Sequence, residues 1–205
     1  MRSTSFAVAL LVLASVSLVR AEKPACSDNC GEKGSPWVSL FDGRSLKGWK
    51  VTGCEAVVQD GAILLKSGNG LVRAERSYRD FVLEVDWKAL KADDWDSGVF
   101  FRSSDPPPGA PWPPTYQANL RKGMEGNVNE LKTARSKGLT KPGQWNHFKL
   151  TVTGTKAKLE INGKPAWKAD GLKSPSGYIS LQAEIPGGGQ FLFRNIRIME
   201  LDGDR

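Results

Sequence analysis

The chain has 205 residues, of which 40% are hydrophobic and 25% are charged, and its formal net charge is +7. This length suits one domain with a sizeable core. Most basic residues are interspersed with acidic ones and form no nucleic-acid-binding motif, so nucleic acid is not expected as a partner. With 3 cysteines and 1 histidine the sequence does not supply a zinc site, so we predict no bound cofactor and leave a divalent metal ion open. The composition does not specify an oligomeric state.

The N-terminal segment has the pattern of a secretory signal peptide. Arg2 precedes an apolar run from Phe6 to Val19, and the small residue Ala21 suits a cleavage site. The run is shorter than the roughly 18 apolar residues that a spanning helix needs, so we predict no membrane span. We therefore expect export to the periplasm or the extracellular space. The predicted segments are a signal peptide at 1–21, an N-terminal linker at 22–35 and a β-sandwich domain at 36–201.

The cysteines fit an oxidising compartment only in part. Cys26, Cys30 and Cys54 are an odd number, and exported proteins usually pair their cysteines. One disulfide with one spare thiol is the simplest expectation, and the spacing leaves the pairing open.

After the signal peptide, the sequence reads as a row of β-strands. No segment keeps a helical apolar period over several turns, whereas alternating β-rich runs recur along the chain. Asp60-Gly61 and Asn162-Gly163 each separate two such runs, and both dipeptides accept the positive φ angles of a two-residue hairpin turn. The longest predicted strands are Phe81 to Leu90, Trp145 to Thr153, Tyr178 to Glu184 and Gln190 to Leu201.

Period-2 alternation gives these strands one apolar and one polar face. Between residues 81 and 88, Glu84 and Asp86 share the polar face. His147 lies on the polar face of its own strand, which we interpret as facing solvent rather than forming a catalytic triad. The alternation slips at Arg194-Asn195, which predicts a β-bulge. Roughly twelve strands with one apolar face each predict an all-β fold of two packed sheets, a jelly-roll β-sandwich.

Two segments interrupt the predicted strands. The run from Asp105 to Pro114 is rich in proline, which lacks a backbone donor, and predicts a stiff surface loop. The run from Lys122 to Lys141 is basic and predicts a long loop, either simply solvated or a surface for anionic polysaccharide. Trp95 and Trp112 lie beside polar residues in irregular segments, and we predict that their indoles stack on a sugar ring.

The segment Thr115 to Leu120 is predicted to form the floor of a binding site. As a strand it places Gln117 and Asn119 on one face, and carboxamides hold hydroxyl-rich ligands well but do not abstract a proton at neutral pH. Any base must therefore come from a neighbouring strand. The predicted substrate-binding residues are Arg102, Gln117, Asn119, Gln182, Trp95 and Trp112, and the predicted catalytic residues are Glu184, Asp86 and Glu84.

A series of segments resembles, in chain order, the bacterial 3-keto-disaccharide hydrolase domain. The resemblance extends over about residues 36 to 201, which is the whole predicted domain. The segments are "WVSLFDGRSLKGWK", "VVQDGAILL", "YRDFVLEVDWKA", "DSGVFFR", "KPGQWNHFKLTV", "INGK" and "FRNIRIMEL".

The resemblance implies a concanavalin A-like or laminin-G-like sandwich and an enzyme that cleaves glycosides oxidised to a ketone at carbon 3. A base then removes the acidified proton at carbon 2, and fixed donors or a divalent metal ion stabilise the enolate. This sequence has Gln117 where family members often carry a glutamate, and Glu184 where many carry a histidine. The resemblance thus points to Glu184 as base. The alternative is a non-catalytic, lectin-like glycan-binding module of the same fold.

Overall fold

The computed structural model describes residues 35–202, which form eleven β-strands and no helix. The predicted signal peptide, nearly all of the linker, Cys26 and Cys30 lie outside the described residues. Within them, Cys54 forms no disulfide, and no helix is long and apolar enough to cross a membrane. The strands are β1 (Val38–Ser39), β2 (Trp49–Gln59), β3 (Ala62–Tyr78), β4 (Phe81–Ala89), β5 (Gly98–Ser103), β6 (Gln117–Asn119), β7 (Asn146–Thr153), β8 (Lys156–Ile161), β9 (Lys164–Asp170), β10 (Gly177–Ile185) and β11 (Phe191–Glu200).

Backbone hydrogen bonds join the strands into one curled antiparallel sheet in the order β6-β5-β10-β3-β11-β4-β7-β8-β9. In addition, β2 pairs with β3, and β1 pairs with β11. The 17-residue β3 connects the two halves of the sheet, since 68–78 pair with β10 and 63–65 pair with β11. Strand β3 therefore carries the polypeptide from one half of the sheet to the other.

The sheet bends where β2 and β3 come closest. Gly53 and Gly68 have φ angles of 71° and 88°, and a Cβ atom on either glycine would lie 2.7 Å from a backbone oxygen of the other strand. Only glycine combines this positive φ with so close a backbone approach. The register of β2 against β3 shifts between Thr52 and Cys54, so the bend coincides with an irregularity of the ladder.

The core lies within the curl of the sheet and is built from alternate residues of its strands. In β4, the side chains of Phe81, Leu83, Val85 and Trp87 are each at most 2% exposed, which confirms their predicted apolar face. The ring of Trp87 meets that of Phe148 edge to face, with centroids 5.6 Å apart. Burial of each such side chain stabilises the fold by about 1.5–3 kcal/mol.

Both predicted hairpin turns are confirmed. Asp60 and Gly61 have φ angles of 49° and 75°, and Asn162 and Gly163 have φ angles of 52° and 74°. The predicted β-bulge is also present, because the register of β11 against β4 shifts between 194 and 197. Asn195 takes the left-handed φ of 51° at this bulge.

The predicted boundaries differ from the structure at several strand ends. The strand expected over 115–120 pairs only at Gln117–Asn119, because Tyr116 and Leu120 contribute their backbone groups to single contacts with β5 and Ser97 instead. The predicted loops are confirmed, since no strand occurs between Ser103 and Gln117 or between Asn119 and Asn146.

Candidate functional site

Arg102 is a structural anchor, which corrects its predicted contact with ligand. Its side chain is 1% exposed, and its Nη2 lies 2.6 Å from Asp80 Oδ1. Nε donates to the carbonyl of Arg79 at 2.6 Å, and Nη1 donates to the carbonyls of Gly154 and Ser174 at 2.5 and 3.1 Å. A guanidinium held in this way ties four chain segments together and offers no free fork to a sugar.

A chain of side-chain hydrogen bonds joins β6 to β10. Gln117 Nε2 donates to Gln182 Oε1, and Gln182 Nε2 donates to Glu184 Oε2 at 3.1 Å. The side chain of Gln117 crosses over Gly98, where any Cβ atom would clash with it. The glycine in β5 therefore opens the path for this network. Among the described residues, no group hydrogen-bonds to Glu184 Oε1, so one oxygen stays free to accept a proton.

Asp96 and Arg121 complete this region. Burial raises the pKa of Glu184, the negative charge of Asp96 raises it further, and Arg121 opposes both effects. Burial also raises the pKa of Asp96, whose Oδ2 lies 3.8 Å from Arg121 Nε. A carboxylate with a raised pKa is a better general base near neutral pH than an ordinary one. We name this region the Glu184 face, formed by Gln117, Gln182, Glu184, Asp96 and Arg121.

Trp112 and Asn119 border the Glu184 face. The half-buried indole of Trp112 donates from Nε1 to the carbonyl of Ala183 at 3.2 Å, next to Gln182 and Glu184 in β10. Asn119 is 9% exposed, and its Oδ1 accepts from the backbone N–H of Arg121 at 2.5 Å. Asn119 thus positions the loop that carries Arg121, rather than presenting its amide to solvent.

Trp95 belongs to the core, which corrects its predicted role as an exposed platform. Its side chain is 2% exposed and packs within the main buried cluster. Lys122 Nζ lies 5.6 Å from the centre of its ring. An indole that is covered in this way has no free face for a sugar.

A cleft of about 340 Å³ adjoins the Glu184 face on β2 and β3. Asn69 and Leu71 line it, and they pair in the ladder with Glu184 and Gln182. The opposite wall is the proline-rich loop, through Ala110 and the neighbouring prolines. This cleft therefore lies beside β10, between β3 and the proline-rich loop.

Glu84 and Asp86 lie in a second region, around His147. The Nδ1 atom of His147 lies 2.7 Å from Asp86 Oδ1, and Asn195 Nδ2 donates to Asp86 Oδ2 at 2.7 Å. The hydrogen bond with Asp86 raises the pKa of His147. Burial acts to raise the pKa of Asp86, but the hydrogen bonds from His147 and Asn195 outweigh it and lower that pKa. This arrangement holds the imidazole in one orientation.

The rest of the second region is a charge pair beside an indole. Arg197 donates from Nε to Glu84 Oε2 at 2.6 Å, and its guanidinium carbon lies 4.5 Å from the ring centre of Trp37. These side chains line a groove of about 700 Å³. We name it the His147 groove, and its polar and aromatic lining includes Trp37, Glu84, Asp86, His147, Asn195 and Arg197.

The structure does not bring the predicted catalytic acids together. Glu184 lies on β10, and Glu84 and Asp86 lie on β4, with β3 and β11 between them in the sheet. Three inter-strand steps correspond to about 14 Å along the sheet. The larger cavity is the His147 groove, whereas the carboxylates with raised pKa lie at the Glu184 face. Sequence reasoning missed His147, because its pairing with Asp86 requires knowing that β4 and β7 are neighbours.

Residues 35–202 contain no group of three or more histidine, cysteine, aspartate or glutamate side chains arranged to hold a metal ion. Gln182 Nε2 donates to Glu184 Oε2, Gln117 donates to Gln182, and the guanidinium of Arg121 lowers the pKa of Glu184. Fixed donors of this kind can stabilise an oxyanion.

The curled antiparallel sheet defines an all-β protein. Residues 36–199 match the model of the 3-keto-alpha-glucoside-1,2-lyase-like domain. The chain therefore belongs to the 3-keto-disaccharide hydrolase domain family, as its sequence segments predicted. Comparison with curated protein sequences finds no match.

Three of the solved structures with a similar fold have carbohydrate-related descriptions. A Parabacteroides distasonis protein provisionally classed as a glycosyl hydrolase is 18% identical over 81% of this chain and 94% of its own, with a TM-score of 0.66. The carbohydrate binding module CBM66 from Bacillus subtilis is 17% identical over 75% of this chain and 96% of its own, with a TM-score of 0.60. A Bacillus licheniformis β-glucanase is 14% identical over 84% of this chain and 100% of its own, with a TM-score of 0.52. These similarities establish the fold.

Proposed function

We propose that the protein is an exported enzyme that cleaves 3-keto-glycosides at the Glu184 face, with Glu184 as the general base. The observation that carries this proposal is the raised pKa of Glu184, whose free oxygen lies at the end of the Gln117–Gln182 hydrogen-bond chain. Family membership supports the substrate class.

The reaction follows from the acidity of a carbon next to a ketone. Glu184 takes the proton from carbon 2, and the electron pair left behind forms an enolate with the ketone oxygen at carbon 3. The enolate then expels the glycosidic oxygen from carbon 1, and that oxygen leaves as an alcohol after it takes up a proton. Addition of water to the resulting double bond completes a net hydrolysis. General-base assistance of this kind contributes about 10²–10⁴-fold to the rate.

Arg121 and the amides have the complementary roles. The Arg121 guanidinium is 59% exposed and is suited to hold the developing oxyanion. The half-buried Gln117 offers its amide to the hydroxyl groups of the sugar, and Gln182, which is 4% exposed, links Gln117 to Glu184. Trp112, next to β10, supplies an aromatic edge or face for the leaving sugar.

We further propose that the curled sheet is a two-layer jelly roll of the concanavalin A-like or laminin-G-like class. The support is the division of β3 between β10 and β11, as expected if the two halves of the sheet pack on opposite sides of one core. An experimental structure tests this proposal directly. Two separately ordered layers are expected, and a single open sheet would contradict it.

Export is proposed from the signal-like segment 1–21. In a bacterial host, the full chain is expected in the periplasm or the medium, and a variant that lacks 1–21 in the cytoplasm. Fractionation of the cells checks this expectation. Equal distribution of the two forms would contradict it.

A lectin-like glycan-binding module is the second candidate. It is favoured by the half-buried carboxamide of Gln117, since an amide binds hydroxyl groups without abstracting protons. A similar fold in a carbohydrate binding module is compatible with this function.

Glu184→Gln separates the two candidates, because it keeps the shape and hydrogen-bonding capacity of the side chain but removes its basicity. For the enzyme, turnover of 3-keto-disaccharides is expected to fall about 10²–10⁴-fold while binding persists. The exposed Glu75→Gln is the matched control and is expected to keep wild-type turnover. No wild-type turnover of a 3-keto-disaccharide panel, with or without divalent metal, would favour the binding module. Loss of turnover in Glu84→Gln or Asp86→Asn, but not in Glu184→Gln, would move the base to the His147 groove.

A further inference from the structure

The His147 groove is a built site that the proposed reaction does not use. Its volume of about 700 Å³ lies within the range of ordinary ligand pockets, about 300–1,000 Å³. Trp37 and Phe41 give it an apolar part, and the acids, amide and imidazole around Asp86 give it a polar part. Pockets that combine fixed polar groups with aromatic rings bind small polar ligands in a defined orientation.

The polar groups are held in place before any ligand binds. Both carboxylate oxygens of Asp86 are engaged, one with His147 and the other with Asn195. Arg194 adds to this support, since its Nε lies 3.6 Å from Asp86 Oδ2 and its guanidinium stacks on Trp145 at 3.9 Å. The bulge in β11 produces this arrangement, because it turns Asn195 toward Asp86 through a left-handed φ of 51°.

Several hydrogen-bonding atoms of the groove have no partner among residues 35–202. His147 uses Nδ1 for Asp86, which leaves Nε2. Glu84 binds Arg197 through Oε2, which leaves Oε1. Asn195 donates through Nδ2, which leaves the acceptor Oδ1. A ligand that satisfies these atoms must present both donors and acceptors, as vicinal hydroxyl groups do.

The charges of the groove exclude a strongly ionic ligand. Glu84 is neutralised by Arg197, and Asp86 is flanked by His147 and Arg194. The carboxylate of Asp42 is bound to the backbone N–H groups of Arg44 and Ser45 in its own turn. The groove therefore has no excess cation for an anion, and each of its carboxylates already has hydrogen-bond partners.

We propose that the His147 groove is a second, separate binding site for a neutral saccharide. Its hydroxyl groups bond to Nε2 of His147, Oε1 of Glu84 and Oδ1 of Asn195, and its ring packs against Trp37. A protein with this groove and the Glu184 face holds one glycan at two places, which increases avidity for a long or branched chain.

The single histidine of the sequence makes the proposal directly measurable. The imidazole signals of the full mature chain are unambiguous in NMR spectra, and they report on this groove alone. Titration with cellobiose and maltose is carried out on the wild-type chain, because neither sugar carries the 3-ketone that the proposed reaction needs. A saturable shift of the His147 signals is expected with at least one of these disaccharides. No shift at millimolar concentrations of either sugar would overturn the proposal.

Trp37→Ala tests the aromatic contact, with Val38→Ala as the matched control. Val38 follows Trp37 in the chain, is 47% exposed and does not line the groove. The saccharide affinity read from the His147 signals is expected to fall about tenfold or more in Trp37→Ala and to stay unchanged in Val38→Ala. Equal affinities in the two variants would overturn the proposal. The result does not depend on whether the wild-type protein cleaves 3-keto-glycosides, because neither sugar carries a ketone at carbon 3.

Discussion

The Glu184 face and the His147 groove contain the same kinds of side chain, but the pKa values of Glu184 and Asp86 are shifted in opposite directions. Glu184 and Asp96 are partly buried with Arg121 as their neighbouring cation, and the pKa of each is raised. Asp86 is buried to a similar degree, but hydrogen bonds from His147 and Asn195 lower its pKa. The balance between burial and direct partners therefore decides which carboxylate can act as a base.

This difference assigns separate roles to acids that look alike in sequence. Glu184 keeps a free oxygen and a raised pKa, which suits proton transfer. Asp86 has both oxygens occupied and a lowered pKa, which suits orientation of the imidazole. Glu84 is bound to Arg197 through its Oε2 atom.

The largest expected effect concerns Arg102, which belongs to neither region. Arg102→Met leaves Asp80 buried without its partner, and such a change costs about 3–5 kcal/mol of unfolding free energy. Arg76→Met breaks the exposed pair with Glu200 and is expected to cost less than about 1 kcal/mol. Urea unfolding measures both. Loss of saccharide affinity in a fully stable Arg102→Met variant would return Arg102 to the ligand site.

Gly98→Ala tests the path of the Gln117 side chain at the Glu184 face. The added methyl group clashes with Gln117 and displaces it from Gln182, with an expected cost of about 1–3 kcal/mol for overpacking. Saccharide binding at this face is expected to weaken with it. Gly171→Ala is the comparison variant for stability. A Cβ atom at Gly171 has no neighbour within 4 Å, so this variant measures the backbone strain of its φ of 106° without a steric clash. Unchanged stability and binding in Gly98→Ala would contradict the observed path of Gln117.

His147→Gln tests the pair in the groove with a smaller effect. The raised pKa of His147 means that its contribution to stability is fully present below its ordinary value of 6.5 and is lost as the pH rises through the folded-state pKa. The lowered pKa of Asp86 contributes above the ordinary value of 3.8 and is lost as the pH falls through its folded-state pKa.

The pair of His147 and Asp86 therefore stabilises the fold most between pH 3.8 and pH 6.5. The difference in unfolding free energy between wild type and His147→Gln is expected to peak there, at no more than about 1 kcal/mol, because the imidazole is 38% exposed. Denaturant unfolding at a series of pH values gives this difference. A difference that stays constant with pH would show that Asp86 and His147 do not interact in solution.

Local features of the fold were predictable from the sequence, because they depend on neighbouring residues. The hairpin turns at Asp60-Gly61 and Asn162-Gly163 follow from the φ preferences of those residues. The bulge near Asn195 follows from a slip in alternation, and the buried face of β4 follows from its period of two.

The grouping of side chains into sites was not predictable, because it depends on strand order. Asp86 and His147 are 61 residues apart and meet only because β4 pairs with β7. Arg102 was expected to contact the substrate, but its left-handed φ of 45° directs the side chain to Asp80, 22 residues away. Period-2 alternation fails at such a residue, since it assumes extended backbone throughout.

We propose Glu184, with its pKa raised in part by Asp96, as the base that cleaves 3-keto-glycosides. The most direct test is the pH dependence of kcat/KM on a 3-keto-disaccharide for wild type and Asp96→Asn. In wild type, kcat/KM is expected to fall as the pH drops through a pKa above the ordinary glutamate value of 4.5. In Asp96→Asn this fall is expected at lower pH, because the neighbouring negative charge is gone. An acid limb at the same pH in both proteins would contradict the claim.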